Sequence, residues 1–377
     1  MRVLFWAELF WPHIGGSELG ALELILALRE RGHEFVVVAR QDDPSERPID
    51  QYEGVPIYRL PFWKAFADRN LEQLHDTRKR FARLRETFAP DLVHLHCLGP
   101  TALFFLESSK NFSTPLLVTL TGMAFEKECG LQLFERVLRL SNWVTGKSKA
   151  ILHRAHHIVP GIEHRSSVIY RGRKDLFREP SSSPPPGRRI VCVGRLAKEK
   201  GFDLAVSAFA CIALRYPDLE MVIAGDGPER SPLEKQTESL GLSEKVKWLG
   251  WIAPANVQAL LATSQLVLVP SRWEGLPRVA VEAALMARPV IGTKVGGIPE
   301  LIVHGETGLL TEAENEEALV QAIMFVLDHP ERAFVMGQNA RRLALEQFNL
   351  ERCIDSYENL YNQLTRKNIG KGQCVES

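Results

Sequence analysis

The chain has 377 residues, of which 45% are hydrophobic and 24% are charged. A chain of this length usually divides between two hydrophobic cores, and this composition excludes global disorder. Lysine plus arginine and aspartate plus glutamate both number 46, so no net charge favours nucleic acid as a partner. Six scattered cysteines and the lack of about 18 consecutive apolar residues indicate a cytoplasmic protein without a spanning helix.

The first half of the chain alternates between short apolar runs and helical patterns. Glu8 interrupts the first apolar run and Gly15-Gly16 follows it, which is typical of a strand, a glycine loop and a helix rather than a signal peptide. Ser17 is expected to cap that helix and Gly32 to end it. The runs predict parallel strands, and so a doubly wound α/β domain, at 3–7, 34–39, 55–60, 92–96 and 116–120.

A linker is predicted at 181–188, because three consecutive prolines there remove backbone donors and fix φ. The alternating pattern restarts after it, with strands predicted at 190–193, 220–224, 245–249, 266–269 and 290–291. The predicted organisation is therefore an N-terminal domain (1–180), a C-terminal domain (189–345), an amphipathic C-terminal helix (346–366) and a flexible tail (367–377).

The segment 271–283 joins a predicted strand to a helix and carries two glutamates eight residues apart, Glu274 and Glu282. The turn Gly275-Leu276-Pro277 can bring backbone N–H groups and the helix N-terminus toward an anion. Both carboxylates can then face one crevice. The alternative is that Glu274 interacts with the helix dipole and Glu282 lies on a solvated face.

Other glycine loops also follow predicted strands. Gly194 precedes Arg195 and Lys200, two cations that can clamp a diphosphate through charge-assisted hydrogen bonds; the alternative is a solvated basic loop. Gly15 and Gly16 lie at the equivalent edge of the first domain, where the lack of a Cβ lets the backbone approach a phosphate. None of these loops has the Gly-x-Gly-x-x-Gly spacing of a dinucleotide site.

Together these motifs, from Gly15-Gly16 to the segment 305–310, resemble the retaining glycosyltransferases of family 4. The resemblance implies the α/β GT-B fold, in which two doubly wound Rossmann-like domains face each other across an interdomain cleft. It also implies three catalytic residues, with Glu274 at the donor sugar and Arg195 and Lys200 at the diphosphate. Glu282 would hold the ribose, and the remaining donor-binding positions would be Gly15, Gly16, Gly194, Gly225, Gly250, Trp251, Gly275, Leu276 and Pro277.

The implied reaction transfers a hexose from a UDP- or GDP-sugar to an acceptor hydroxyl, in polysaccharide or glycolipid biosynthesis. The acceptor can be a glycan, a lipid-linked molecule or a small molecule. Members of the family generally work without a bound metal, and the chain has no Asp-x-Asp triplet, so neither a metal nor another cofactor is expected.

Two positions depart from the family pattern. Thr121 stands where many relatives have a histidine, and threonine cannot do the acid/base work of an imidazole. Arg171 replaces the asparagine of the usual Asn-Gly-Val-Asp, which points to an anionic acceptor. His94 and His96 are expected on opposite faces of their strand, so that one can line the cleft, or else to be satisfied within the sheet. The acceptor-side candidates are thus His96, Thr121 and Arg171.

Other interpretations stay open. The basic residues within 78–85 can rest on anionic lipid as part of an amphipathic helix, which would place the protein peripherally at the inner face of the membrane, or form a solvated face. The chain can also be a sugar-nucleotide epimerase, a nicotinamide-dependent oxidoreductase or a non-catalytic sugar-nucleotide binder. The lack of the Gly-x-Gly-x-x-Gly motif argues against the oxidoreductase. The non-catalytic binder stays possible because Thr121 replaces the usual histidine.

Overall fold

A computed structural model describes residues 1–12, 15–41, 43, 45–96, 99, 101–108, 113–122, 130–175 and 188–372. Contacts divide the chain into two compact units. The first unit comprises Met1–Tyr170 and Cys353–Ser377, and the second comprises Arg171–Arg352. The predicted linker at 181–188 lies outside the described residues except for Arg188, which begins a strand.

The first unit is built on a sheet whose strands are β1 (Arg2–Ala7), β2 (Glu34–Arg40), β3 (Ile49–Tyr52), β4 (Val55–Leu60), β5 (Leu92–His96), β6 (Leu116–Leu120), β7 (Trp143–Gly146) and β8 (Ser166–Val168). Their order is β3-β4-β2-β1-β5-β6-β7-β8, and all neighbours are parallel except β3 and β4. The helices are α1 (Gly16–Glu30), α2 (Phe62–Ala67), α3 (Leu71–Phe88), α4 (Thr101–Ser108), α5 (Leu131–Leu140) and α6 (Lys149–Ile158).

The described residues of the second unit form six parallel strands, β9 (Arg188–Val193), β10 (Leu219–Ala224), β11 (Val246–Gly250), β12 (Leu266–Val269), β13 (Val290–Thr293) and β14 (Gly308–Thr311), in the order β11-β10-β9-β12-β13-β14. Its helices are α7 (Phe202–Ile212), α8 (Arg230–Ser239), α9 (Pro254–Ala262), α10 (Arg278–Leu285), α11 (Ile298–Leu301), α12 (Glu316–Asp328) and α13 (Pro330–Gln347). The prediction of two doubly wound α/β units is confirmed.

Each unit has its own apolar core. In the first unit, Trp6 packs among the rings of Phe62, Phe81 and Phe104. In the second unit, the buried faces of the strands pack against residues such as Phe209 on α7. The strands read as continuous apolar runs because helices cover both faces of a parallel sheet.

The strand order of each sheet reverses beside its first strand. In the first unit the reversal lies between β1 and β5, and in the second unit between β9 and β12. In open α/β sheets ligands bind at the carboxyl ends of the strands, at this switch point. The loops that follow β1, β5, β9 and β12 are therefore the places to search for a site.

The start of α1 differs from the prediction. The helix begins at Gly16 with Gly15 as its N-cap residue, so Ser17 lies inside the first turn and does not cap it. The Ser17 hydroxyl instead accepts a hydrogen bond from Lys147 Nζ at 3.4 Å. The prediction of a Ser17 cap was wrong, because the glycine pair already supplies the extended conformation that the cap position needs.

His94 and His96 lie on the same face of β5, and the expectation of opposite faces was wrong. Side chains alternate along a strand, so residues two apart return to one face. Their ring centroids are 5.9 Å apart, and both rings contact Phe5 of the neighbouring strand.

The chain ends in a long helix, α14 (Leu350–Gly372), which from Cys353 onward belongs to the first unit. Arg31 binds Asp355 and Glu358 on this helix at 2.6 and 2.7 Å. Residues 367–372, predicted as flexible tail, continue the helix, and 373–377 lie outside the described residues. One stripe of α14 is buried at a spacing of three to four residues, namely Cys353, Ile354, Tyr357, Leu360, Tyr361 and Leu364.

Helix α3 carries the basic residues within 78–85, for which contact with anionic lipid was one interpretation. Phe81 and Leu84 are buried in the core of the first unit, whereas Arg78, Lys79 and Arg83 are exposed. Because these apolar side chains already pack inside the unit, they are not available to a lipid surface. Within the described ranges, no helix has both the length and the apolar character that crossing a bilayer requires.

Candidate functional site

Three predicted glycines meet at the carboxyl ends of the adjacent strands β11, β10 and β9. The Gly225 N–H donates to the carbonyl of Gly250 at 2.7 Å, and the Gly194 N–H donates to the carbonyl of Ala224 at 3.0 Å. A Cβ on Gly225 would lie only 1.8 Å from the Gly194 carbonyl oxygen. The three loops thus form one continuous backbone surface, and the side chain of Trp251 beside it is 58% exposed.

Lys200 and Glu274 form an ion pair at the switch point between β9 and β12. Lys200 Nζ lies 2.5 Å from Glu274 Oε2, and the two side chains are 25% and 14% exposed. Glu274 does not cap α10, whose N-cap residue is Pro277. The structure therefore brings together two predicted catalytic residues that stand on different loops and are partly accessible to solvent.

Two glycines allow the loops around this ion pair to pack closely. Gly296 has φ +54°, and a Cβ on it would lie 1.7 Å from the carbonyl oxygen of Glu274. Gly201 has φ +66°, and a Cβ there would lie 2.0 Å from the carbonyl oxygen of Pro270. Since other residues would need both a strained φ and a shifted backbone, these positions fix where Lys200 and Glu274 lie.

We expect Gly296→Ala to destabilise the protein by about 3 kcal/mol or more, because the new Cβ would have to displace the Glu274 backbone. Gly305→Ala is the matched control, since Gly305 also has positive φ (+81°) but its Cβ would meet no atom within 4 Å. Strain alone should cost about 1 kcal/mol there. Urea unfolding of both variants measures the difference, and equal losses would contradict the role of close packing.

Arg272, which lies two residues before Glu274, connects its loop to the region after β9. Its guanidinium donates two hydrogen bonds to Asp203, at 2.8 and 2.7 Å, and one to the carbonyl of Lys198 at 2.7 Å. Burial acts to raise the pKa of Asp203, but the hydrogen bonds and charge of Arg272 outweigh it and hold that pKa below its usual value. Arg272 thereby ties the loop after β12 to the loop after β9.

Arg195, the third predicted catalytic residue, lies in the loop that also carries Lys200. Its side chain is 68% exposed and pairs with Glu199, four residues along. Burial acts to raise the pKa of Glu199, but backbone hydrogen bonding and Arg195 bring it below its usual value. A diphosphate bound by Arg195 would have to compete with this short-range pair.

Glu282 is buried on α10, with a side chain only 7% exposed, so the alternative of a solvated face was wrong. Arg278 Nε donates to Glu282 Oε1 at 2.6 Å, and Arg173 Nε lies 3.7 Å from the same oxygen. The four-residue spacing of Arg278 was visible in the sequence. Arg173 stands far away in the sequence, and only the tertiary structure brings it to Glu282.

The predicted glycine pair of the first unit opens α1 at the carboxyl end of β1. A Cβ on Gly16 would meet no described atom within 4 Å, and one on Gly15 would meet only the Glu18 side chain. The backbone at Gly16 therefore has open space beside it among the described residues. Lys147, which contacts Ser17, adds a largely buried positive charge to this helix end.

The acceptor-side candidates do not all belong to one unit. His96 ends β5 and is buried, and Thr121 follows the neighbouring strand β6, so both are in the first unit. Arg171 is grouped with the second unit.

His94 is fully buried and hydrogen-bonded, as Nδ1 lies 2.7 Å from the Tyr361 hydroxyl and Nε2 lies 2.7 Å from the Thr119 hydroxyl.

A carboxylate that sequence analysis missed lies at the switch point of the first sheet. Glu8 follows β1; Arg40 donates to it at 3.1 Å and the Thr101 N–H at 3.4 Å. Burial raises the pKa of Glu8 despite these contacts. Gly99 leaves room for it, because a Cβ there would lie 2.3 Å from its carboxylate. The only sequence signal was a charge that interrupts an apolar run.

Within the described part of the chain, no group of three or more histidine, cysteine, aspartate or glutamate side chains is arranged to hold a metal ion. That the chain uses no metal stays a prediction.

Two family models match the chain. The model described as "Glycosyl transferases group 1" matches residues 173–343, and the "Glycosyl transferase 4-like domain" matches residues 15–160. The first match contains the predicted donor residues Arg195, Lys200, Glu274 and Glu282, and the second begins at Gly15. Together they cover most of the chain and correspond closely to its two units.

The chain is similar to curated proteins and solved structures over nearly its whole length. It is 26% identical to an uncharacterized glycosyltransferase of Methanocaldococcus jannaschii, covering 97% of this chain and 99% of the relative. It is 29% identical to the GDP-mannose-dependent alpha-mannosyltransferase of Mycolicibacterium smegmatis, over 92% of this chain and 93% of the relative. The crystal structure of Anabaena HepE in complex with UDP has the same fold, with a TM-score of 0.81, 22% identity and coverage of 97% and 100%.

These matches agree with the two parallel sheets and with the glycine and glutamate loops at their carboxyl edges. The resemblance noted in the sequence is confirmed, and the chain belongs to the family 4, group 1 glycosyltransferases of the GT-B fold.

Proposed function

We propose that the chain transfers a hexose from a UDP- or GDP-sugar to an acceptor hydroxyl with retention of anomeric configuration. The observation that carries this proposal is the Lys200–Glu274 ion pair, which is partly accessible to solvent at the switch point of the second sheet. A donor sugar needs a carboxylate that accepts from its hydroxyls, and a departing diphosphate needs a cation. The pair offers both at one place.

In this proposal each donor group has its own residues in the second unit. Glu274 accepts hydrogen bonds from the sugar hydroxyls, Lys200 and Arg195 bind the diphosphate, and Glu282 accepts from the ribose. The backbone surface made by Gly194, Gly225 and Gly250, with Trp251 beside it, is the proposed contact for the phosphates and the nucleobase. The turn Gly275-Leu276-Pro277 directs the N-terminus of α10 toward the same anion.

The proposed chemistry follows from charge. The bond between the anomeric carbon and the diphosphate breaks, the acceptor oxygen forms a bond on the same face, and the acceptor proton passes to a phosphate oxygen. Negative charge therefore grows on the diphosphate, where Lys200 and Arg195 stabilise it. We propose that these cations do what a metal does in other transferases, so that activity should persist in EDTA.

The proposal includes either uracil or guanine as the donor base and does not specify one acceptor. The Anabaena neighbour was solved with UDP and with UDP-glucose, and the Mycolicibacterium relative is named for GDP-mannose, so both bases belong in the test. On the first unit, Gly15 and Gly16 would present backbone N–H groups to an anionic substrate group, and His96 and Thr121 are proposed acceptor contacts. Arg171, which is grouped with the second unit, is the third proposed acceptor contact. We propose a cytoplasmic enzyme of polysaccharide or glycolipid synthesis.

Thermal stabilisation by nucleotides is the first test, because a ligand that binds the folded state raises its melting temperature. At about a hundred times Kd, the stabilisation is about 2.7 kcal/mol, which corresponds to a shift of several degrees. We expect this shift with UDP or with GDP in the wild type, and its loss in Glu282→Ala. Glu317→Ala, which removes an exposed glutamate from α12, should keep it.

Product analysis separates the proposed reaction from the alternatives. Incubation with UDP-glucose or GDP-mannose and a panel of glycan, lipid-linked and small-molecule acceptors should yield a glycosylated acceptor and free nucleoside diphosphate. An isomerised sugar nucleotide without any acceptor would establish an epimerase, and binding without turnover would favour a non-catalytic binder. A folded protein that shows no shift with either nucleotide would contradict the donor-site assignment.

A further inference from the structure

Two arginines converge on one oxygen of Glu282. Arg278 Nε lies 2.6 Å and Arg173 Nε 3.7 Å from Oε1. Within the described part of the chain, every hydrogen bond and ion pair assigned to the Glu282 side chain goes to Oε1. Among the described residues, no hydrogen bond or ion pair to the second oxygen, Oε2, is found. The side chain of Arg173 is itself only 5% exposed, so its charge acts in a poorly hydrated place.

The backbone of Arg173 is held by the segment 348–350. Its N–H donates to the carbonyl of Phe348 at 2.8 Å, and its carbonyl accepts from the Leu350 N–H at 3.2 Å. Gly172 makes this approach possible, because a Cβ there would lie 2.2 Å from the Asn349 carbonyl oxygen. Arg173 thus starts from a backbone position with little freedom, which directs its side chain accurately.

A second connection ties the same segment to the helix of Glu282. Asp175 binds Arg341 of α13 through two hydrogen bonds, at 3.1 and 2.7 Å, and Arg341 also donates to the carbonyl of Leu285, the last residue of α10. The segment 173–175 is therefore attached near both the middle and the end of α10. These charged contacts fix the segment that carries Arg173 relative to α10.

Arg173 also lies where the chain connects its two units. The chain passes from the first unit to the second at 170–171 and returns at 352–353. Arg173 follows the first passage, and the segment 348–350 precedes the second. The two are hydrogen-bonded to each other. The position of Glu282 is thus linked through Arg173 to both connecting segments.

We propose that Arg173 is a positioning residue for the donor nucleotide, which holds Glu282 Oε1 so that Oε2 is presented to the ribose hydroxyls. This inference rests on the proposed donor-binding role of Glu282. The competing explanation is a purely structural ion pair, whose loss would weaken binding of every nucleotide alike. The two explanations differ in whether the effect of Arg173 depends on the ribose hydroxyl.

The test compares a ribonucleotide with its 2′-deoxy form. Calorimetric titration would measure Kd for UDP and 2′-deoxy-UDP, or for GDP and 2′-deoxy-GDP if the protein binds GDP. Since a hydrogen bond to a charged group is strong, the wild type should prefer the ribonucleotide by roughly tenfold or more. Arg173→Met should lose most of this preference and bind the deoxynucleotide within about twofold of the wild type, whereas Arg173→Lys should be intermediate.

The variants make each failure recognisable. If Arg173→Met weakens both nucleotides equally, the role is structural and the inference is wrong. If Glu282→Ala keeps the wild-type preference, Glu282 does not hold the ribose, and the donor-site assignment fails together with the inference. Arg342→Met, an exposed arginine next to Arg341, should behave as the wild type. If Arg173→Met does not fold, Arg173→Lys decides, and an unchanged preference in that variant overturns the inference.

Discussion

Replacing Lys200 with alanine is expected to lower kcat about a hundredfold. In the proposed reaction Lys200 stabilises the charge that grows on the leaving diphosphate, and loss of one preorganised charge contact costs about 3 kcal/mol in the transition state. The same change removes the cation that lies 2.5 Å from Glu274, so the sugar-binding carboxylate would also lose its alignment. Initial rates of transfer at saturating donor measure the effect.

Lys198→Ala is the matched control for this prediction. Lys198 stands in the same loop with an exposed side chain, and Arg272 contacts only its backbone carbonyl, which alanine retains. Its kcat should stay within about twofold of the wild type, since exposed charges contribute little. A Lys200→Ala enzyme with wild-type kcat, or an equal loss in Lys198→Ala, would contradict the role of Lys200.

The second large effect is expected from pH and concerns stability. His94 is fully buried and hydrogen-bonded, and burial lowers its pKa to about 3. In the unfolded chain a histidine titrates near pH 6.5. Below that pH the unfolded state binds a proton that the folded state does not, so the free energy of unfolding falls as pH drops from about 6.5 toward 3. The loss is about 1.4 kcal/mol per pH unit.

Comparison with His94→Gln isolates this titration. Glutamine does not titrate, so the variant should be less stable than the wild type at pH 7, by about 1 to 3 kcal/mol for the altered hydrogen bonds. The gap should have closed by about pH 4.3, where the wild type has lost about 3 kcal/mol. Urea unfolding midpoints at both pH values measure it. If the stability of the wild type and of His94→Gln changes with pH in parallel, His94 does not titrate as described. The control is His75→Gln, which replaces an exposed histidine and should follow the wild type.

Much of the fold was predictable because its signals are local. The apolar runs of the parallel strands, the glycine loops after them and the amphipathic stripe of α14 are each contained in a short stretch of sequence. The predicted ends of the helices were less accurate. Gly15 rather than Ser17 caps α1, and α14 continues to Gly372, because helix ends depend on backbone details that composition does not specify.

The residues of the candidate site also divide into those that local sequence predicted and those that it did not. Lys200 and Glu274 were predicted separately from the loops that carry them, and Arg278 stood at helical spacing from Glu282. Glu8 was missed, because its signal was one charge at the end of an apolar run. Its surroundings depend on Arg40 and Gly99, which lie far from it in the sequence. Alternation along β5 should have placed His94 and His96 on one face, and the prediction misapplied it.

The class of fold, the positions of the anion-handling loops and the family could all be inferred from the sequence, because each depends on residue types at short spacing. Which charged side chains meet became clear only from the folded arrangement. The folded chain pairs Lys200 with Glu274, brings Arg173 to Glu282 and hydrogen-bonds His94 to Tyr361. Such contacts join strands and helices far apart in the chain, and their geometry is set by sheet order and by close backbone packing at glycines such as Gly296.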